Sequence, residues 1–215
     1  MKHRYLCIVV VIALLFRNAP VIAFEGNITM VKQTYYDTTF YTFTVKDNLV
    51  RIDEKNTKQE VMQSLIIDLK ENKITALSPS QKLYTTIQQS YSNPGDQTDF
   101  MVIKGDNFKY IDGRKCFLWR VRNSRLNMEV SYWVFESDLG FFNDVTRLLS
   151  KTEDYSRFCL YFDQIPDCKG YFPMLMIEKT LLRDDKSKVS VQRIDHHKVD
   201  GHSFKVPSEY KYLRY

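Results

Sequence analysis

His196, His197 and His202 stand within eight residues of one another together with Asp195 and Asp200, the densest gathering of metal-ligating types in the chain. Imidazole plus carboxylate suits zinc and its neighbours. Successive strand residues point to opposite faces, however, so only Asp195 and His197 share a side, and a solvated strand end explains the cluster better than a metal centre. Asp184-Asp185 reads as a polar hairpin tip rather than as the carboxylate pair of glycoside chemistry. Arg114, Lys115, Arg120, Arg122 and Arg125 surround Trp119, a mixture that on other surfaces stacks bases and holds phosphates. The plainer reading is the wet face of a strand. The sequence holds no glycine-rich phosphate loop, no Gly-x-Ser-x-Gly turn, no His-Glu-x-x-His and no Cys-x-x-Cys.

The remaining chemistry is apolar. The chain carries 14 Tyr, 14 Phe, 2 Trp and 7 Met. On a curved sheet under a covering helix, Tyr41, Phe43, Trp119, Trp133, Phe141, Phe142, Met174 and Met176 would line a hollow fit for an acyl chain. Ordinary core is the competing account for each of them. The hollow gains weight from the shortage of helix available to cover the strands.

Those strands follow from a period of two. Tyr41, Phe43 and Val45 alternate with Thr42, Thr44 and Lys46, and Asp47-Asn48 supplies a turn before a second strand over Leu49 to Glu54. Gln63 to Leu69 and Lys73 to Ser78 flank a turn at Lys70-Glu71-Asn72, and Lys82 to Ile87 continues the meander. Ser90 to Asp99 has no apolar period and reads as a loop or a mobile lid. Over Arg114 to Asn123, Phe117, Trp119 and Val121 oppose Arg120 and Arg122. Over Met128 to Phe135, Val130, Tyr132 and Val134 oppose Ser131, Trp133 and Phe135. Phe141, Val145, Leu148 and Leu149 recur at helical spacing, with Asp138 upstream as a cap. Phe172 to Arg183 and Lys188 to Lys198 read as strands joined at Asp184 to Ser187, and Phe204 to Tyr210 as a short edge segment containing Pro207. The expected fold is mainly β, a curved antiparallel sheet or half-barrel with one or two short covering helices.

Residues 1–23 read as a secretory signal peptide. Lys2, His3 and Arg4 precede an apolar run of 11 residues, Leu6 to Phe16, and Val21-Ile22-Ala23 offers small residues for cleavage near Ala23. As a helix that run covers only about 16 Å, against a hydrocarbon core of roughly 30 Å. The expected location is therefore periplasmic or secreted. Losing Lys2, Arg4 and Arg17 lowers the net charge from +5 to +2, with 28 bases against 26 acids. That balance gives no reason to expect nucleic acid as a partner. Cys7 leaves with the leader. Cys159 and Cys168, nine apart in an oxidising setting, are the candidate disulfide, while Cys116 fits a strand as a small buried residue. Residues 24–215 are expected to form a single β-rich domain.

Gly113-Arg114-Lys115-Cys116, Trp119-Arg120-Val121, Tyr132-Trp133-Val134 and Asp200-Gly201-His202-Ser203-Phe204-Lys205-Val206-Pro207 ahead of Tyr210 carry a resemblance. The chain resembles a family of uncharacterised secreted proteins of Gram-negative bacteria, similar in fold to the periplasmic lipoprotein carriers and receptors (LolA/LolB-like). The resemblance implies a half-barrel around a hydrophobic hollow with helix and loops as a lid, and it implies no catalytic residue and no cofactor. The expected function is non-enzymatic binding of an apolar ligand, either a lipid, an acyl chain or a lipid-modified protein, with peripheral contact to the envelope. A structural or protein-interaction component of the envelope is the alternative. A metal-dependent hydrolase built on Asp195 and His197 is the third.

Overall fold

The computed structural model describes residues 24–88, 100–152 and 161–214. The leader over 1–23, the loop at Ser90 to Asp99 and Cys159 lie outside the described residues. Twelve strands form one curved, unclosed sheet. They are β1 (Gly26–Thr34), β2 (Thr38–Lys46), β3 (Leu49–Lys55), β4 (Val61–Asp68), β5 (Lys73–Ser78), β6 (Leu83–Ile87), β7 (Phe100–Ile111), β8 (Arg114–Asn123), β9 (Met128–Glu136), β10 (Tyr171–Lys179), β11 (Asp185–His196) and β12 (Lys211–Tyr212). A single α-helix among the described residues, α1 (Phe141–Leu149), interrupts the series between β9 and β10.

Across the sheet the order is β12-β6-β5-β4-β3-β2-β1-β11-β10-β9-β8-β7. Two antiparallel meanders, β1 to β6 and β7 to β11, are therefore joined in the middle of the sheet, where β1 pairs with β11 from Gly26↔His196 to Thr34↔Ser187. The expected antiparallel architecture holds at every pairing but the last, since β12 runs parallel to β6.

Turn chemistry fixes the hairpins. Asp47, Asn72, Asp112 and Asn127 take positive φ at the tips that follow β2, β4, β7 and β8, a backbone region where Asn and Asp are tolerated. The β10–β11 tip lies earlier than Asp184 to Ser187. Thr180 and Asp184 close it, because the Thr180 amide donates to the Asp184 carbonyl at 2.9 Å and the Asp184 amide to Thr180 Oγ1 at 3.0 Å, with Arg183 at φ 73°. Asp185 consequently begins β11. The segment after β11 also departs from the expected extended course. Asp200 accepts from the His202 amide at 3.0 Å and starts a 3-10 turn over Gly201–Phe204, and the edge strand forms only beyond Pro207.

The two faces are covered differently. The inner face carries α1 and the 3-10 turn at Phe162–Gln164. Phe142, Val145, Leu148 and Leu149 of the helix join Ile28, Phe43, Val50, Ile67, Val121, Tyr132 and Met174 of the sheet in one buried cluster. On the outer face, Val199 and Phe204 of the C-terminal segment bury against Ile66 and Leu77 of β4 and β5. A polar group fastens that segment. Arg51 Nη1 donates to the Ser203 carbonyl at 3.0 Å, while Arg51 Nε and Ser64 Oγ both donate to Asp53 Oδ1, at 2.8 and 2.5 Å.

Candidate functional site

The packed core between the sheet and α1 gathers most of the expected ligand-lining residues. Tyr41 and Phe43 enter from β2, Trp119 from β8, Met174 and Met176 from β10, and Phe142 from α1, each no more than 6% exposed. The pleat explains their company: Trp119 stands opposite Tyr132, and Tyr132 opposite Met176, so three neighbouring strands send one row inward. The alternation in the sequence therefore identifies the inward faces of β2 and β8, but the expected lining set Trp133 against that alternation. Trp133 is placed elsewhere. It follows the inward Tyr132, so it occupies the outer face, half-buried beneath Lys109, whose Nζ lies 4.1 Å from the ring centroid.

Phe142 is the keystone of the helix. Its ring meets Phe172 at 4.7 Å, Phe162 at 5.8 Å and Phe43 at 6.2 Å between centroids. These tilted and edge-to-face contacts are the arrangement that aromatic quadrupoles favour. Phe141, one residue earlier, sits at the margin and stacks on Phe24 at 5.8 Å. Around that margin a cleft of about 410 Å³ opens between the N-terminal end of α1 and the turns after β2 and β4. Phe24, Val45, Leu69 and Phe141 supply its apolar lining, and Asp47, Lys70, Asp138 and Arg147 its charged lip.

The helix is held lightly by polar bonds. Asp138 does not cap it; Gly140 is the N-cap residue and offers no side-chain bond. Asn143 Nδ2 donates to the Cys168 carbonyl at 3.0 Å, and this bond ties the helix to the stretch before β10. On the far side of the core the Lys104 ammonium lies 4.6 Å from the Trp119 ring centroid and donates to the Pro166 carbonyl. Burial pushes the Cys116 thiol above its ordinary range, so it behaves as the small apolar residue its strand position implies. Cys168 is half-buried, and its candidate partner Cys159 lies outside the described residues.

The histidine cluster is dispersed. Asp195 Oδ1 accepts from Arg193 Nε at 2.6 Å, His196 packs edge-on to Phe24 at 4.9 Å, and His202 Nδ1 lies 2.9 Å from Asp200 Oδ1. Among the described residues no three potential ligands come together to hold a metal. Sequence reasoning missed two features. One is the cleft, which brings together residues from four separate segments. The other is an outer-face groove lined by Arg120, Arg122, Lys179 and Arg183. The arginine cluster around Trp119 marked half of that groove but gave no sign of the β10 side.

Comparison with known proteins supports the architecture. No functionally curated protein matches the sequence. Among solved structures, an uncharacterised conserved protein from Thermus thermophilus superposes with a TM-score of 0.54 at 8% identity, covering 95% of this chain and 99% of that one. The fold is shared with that protein. A DUF1329 family protein from Desulfovibrio piger gives a TM-score of 0.35 at 8% identity over 86% of this chain and 91% of its own. A Vibrio parahaemolyticus protein described as a "putative outer membrane lipoprotein-sorting protein domain" gives 0.34 at 7% identity over 90% and 94%. The family pattern described as domain of unknown function (DUF4412) matches residues 24–210, and the chain belongs to that family.

Proposed function

We propose that this protein is a non-enzymatic carrier or receptor of the bacterial envelope that holds an acyl chain, free or attached to a lipid-modified partner, between the inner face of its sheet and helix α1. The observation that carries the reading is the cover of the hollow. Among the described residues one nine-residue helix lies on an aromatic and methionine-rich face, and a cleft with an apolar lining and a charged lip opens beside its N-terminal end. Strands are bound to one another by backbone ladders, whereas α1 lies on the sheet through side chains and can lift without breaking a strand pairing.

The magnitudes make an exchange feasible. Exposing Phe142, Val145, Leu148 and Leu149 costs about 1.5–3 kcal/mol each, or roughly 6–12 kcal/mol together. Burying ~12 methylenes of a guest returns about 0.8 kcal/mol apiece, roughly 10 kcal/mol gross before association costs. The balance closes when the helix settles back on the guest instead of standing open to water. Export, expected from residues 1–23, would bring the protein to the compartment where lipidated partners occur.

Native mass spectrometry of protein purified without detergent tests the reading. Mass adducts of fatty acid or phospholipid that disappear on delipidation and return on incubation with the lipid are expected. Protein that is lipid-free as isolated and takes up no fatty acid overturns it.

A second reading, an interaction subunit that docks another envelope protein, draws on β7. That strand ends the sheet among the described residues, and its Phe108 and Tyr110 are 52% and 68% exposed. An unpaired edge of this kind is open to strand addition. Crosslinking in the envelope distinguishes the readings: one dominant protein partner favours docking, and lipid or several lipoproteins favour carriage.

A further inference from the structure

The outer face of the second meander holds a cationic groove unrelated to the hollow. Arg122 of β8, Glu129 of β9 and Lys179 of β10 stand in one cross-strand row, with Arg120 opposite Ser131 in the next. With Arg183 from the β10–β11 tip they line a groove of about 230 Å³ that contains four cations and one acid. Two of the cations are satisfied. Arg122 donates through Nε and Nη2 to Glu129 Oε2 at 3.2 and 2.8 Å, and Lys179 pairs with Asp185 at 2.8 Å.

Arg120 and Arg183 have no carboxylate partner among the described residues, and Arg120 is half-buried. A partly shielded guanidinium without a counter-charge gains from an anion that completes it. Ser131, directly across from Arg120, presents a hydroxyl to the same groove. Thr180 also lines it, but its hydroxyl is committed to Asp184 Oδ2 at 3.2 Å.

We infer that this groove binds a phosphate group, with Arg120 and Arg183 as its two forks and Ser131 as a hydroxyl donor. Guanidinium forks match the paired oxygens of a phosphate, and two of them from different elements enclose it better than a single point charge would. Exposed apolar side chains adjoin the groove: Ile103 stands opposite Arg120 and Met101 opposite Arg122, 41% and 57% exposed. The phosphate can therefore come from solution or from a phospholipid headgroup at a membrane surface, and the two sources separate by experiment.

Isothermal titration calorimetry with inorganic phosphate is run beside co-sedimentation with vesicles of phosphatidylglycerol in phosphatidylcholine, on the natural chain and on Arg120→Gln, Arg183→Gln and a distant control, Lys205→Gln. The expected result is at least a tenfold loss of affinity in both arginine variants and none in the control. Loss in the calorimetric arm assigns a soluble phosphate. Loss confined to the vesicles assigns a headgroup. No binding in either arm, or equal affinity in all four proteins, overturns the inference. Arg183 lies on an exposed turn, so Arg183→Gln carries the test should Arg120→Gln fail to fold.

Discussion

The ring of Phe142 meets the ring of Phe172 edge to face at 4.7 Å between centroids, and so ties the helix to β10 of the second meander. The same side chain reaches Phe43 of the first meander at 6.2 Å. One residue of α1 therefore bridges both halves of the sheet across the seam where β1 meets β11.

Truncating it should be expensive. Phe142→Ala is predicted to cost about 3–5 kcal/mol, the range for a buried phenylalanine, against a total stability of roughly 5–15 kcal/mol. Phe142→Leu should cost much less, because it refills most of the volume. Urea unfolding of the two variants measures the difference, and equal, small losses would show that the helix does not seal the hollow.

The outer-face network makes a separate prediction. Ser64 is fully buried, and its hydroxyl donates to Asp53 while accepting from Arg51 Nη2 at 3.2 Å. Arg51→Met leaves Asp53 with only the Ser64 hydroxyl and no counter-charge and frees the Ser203 carbonyl, at a cost of about 1–3 kcal/mol. Because the groups share one network, a double-mutant cycle with Ser64→Ala should show a coupling of about 0.5–3 kcal/mol. Strict additivity would mean the network is not formed.

Acid should loosen the C-terminal segment. Glu25 and Asp200 are both held below the usual carboxylate range, first by backbone amides, those of Val199 at 2.8 Å and His202 at 3.0 Å, and then by Lys46 and the His202 ring respectively. A depressed folded-state pKa stabilises above the unfolded value, and that contribution is lost as pH falls through the folded one. Asp200 is exposed and the Glu25 side chain is 34% exposed, so screening keeps the effect small. NMR shifts of the Val199 and His202 amides should each move below the ordinary carboxylate range, and Glu25→Gln and Asp200→Asn should each flatten the response of its own amide. Unchanged shifts on acidification would contradict the assignment.

Two glycines should behave unequally. A Cβ on Gly26 would lie 1.9 Å from the Asp195 carbonyl oxygen at φ +150°, whereas one on Gly113, at φ +72°, meets nothing within 4 Å. Gly113→Ala should cost about 1 kcal/mol for its left-handed backbone, and Gly26→Ala distinctly more, since β1 must leave β11 at its first pair. Thermal melts rank the two. The reverse order would place the β1–β11 seam elsewhere.

Period two was readable for β2, β3, β8 and β9 because each buries one face and wets the other. Phe141, Val145, Leu148 and Leu149 likewise announced α1. The alternation of β7 was hidden by its irregularity between Lys104 and Phe108, where Gly105 interrupts the row. The parallel β12 pairing depends on two residues and leaves no local trace. Periodicity sets Trp119 and Trp133 on opposite faces, so expecting both in one lining ran against the alternation, and it does not show that Tyr171 arrives against Trp119 from elsewhere in the chain. Only half of the groove was legible for a related reason: Arg120 and Arg183 lie 63 positions apart and meet only through the β8-β9-β10 ladder.

The chain's two tryptophans lie on opposite faces, and this provides the most direct test of the proposed hollow. In Trp133→Phe protein only Trp119 fluoresces, and in Trp119→Phe protein only Trp133. A fatty acid brominated along its chain should quench Trp119 saturably and leave Trp133 bright. Equal quenching of the two, or none of Trp119 at any concentration below micelle formation, would contradict a guest held between the sheet and α1.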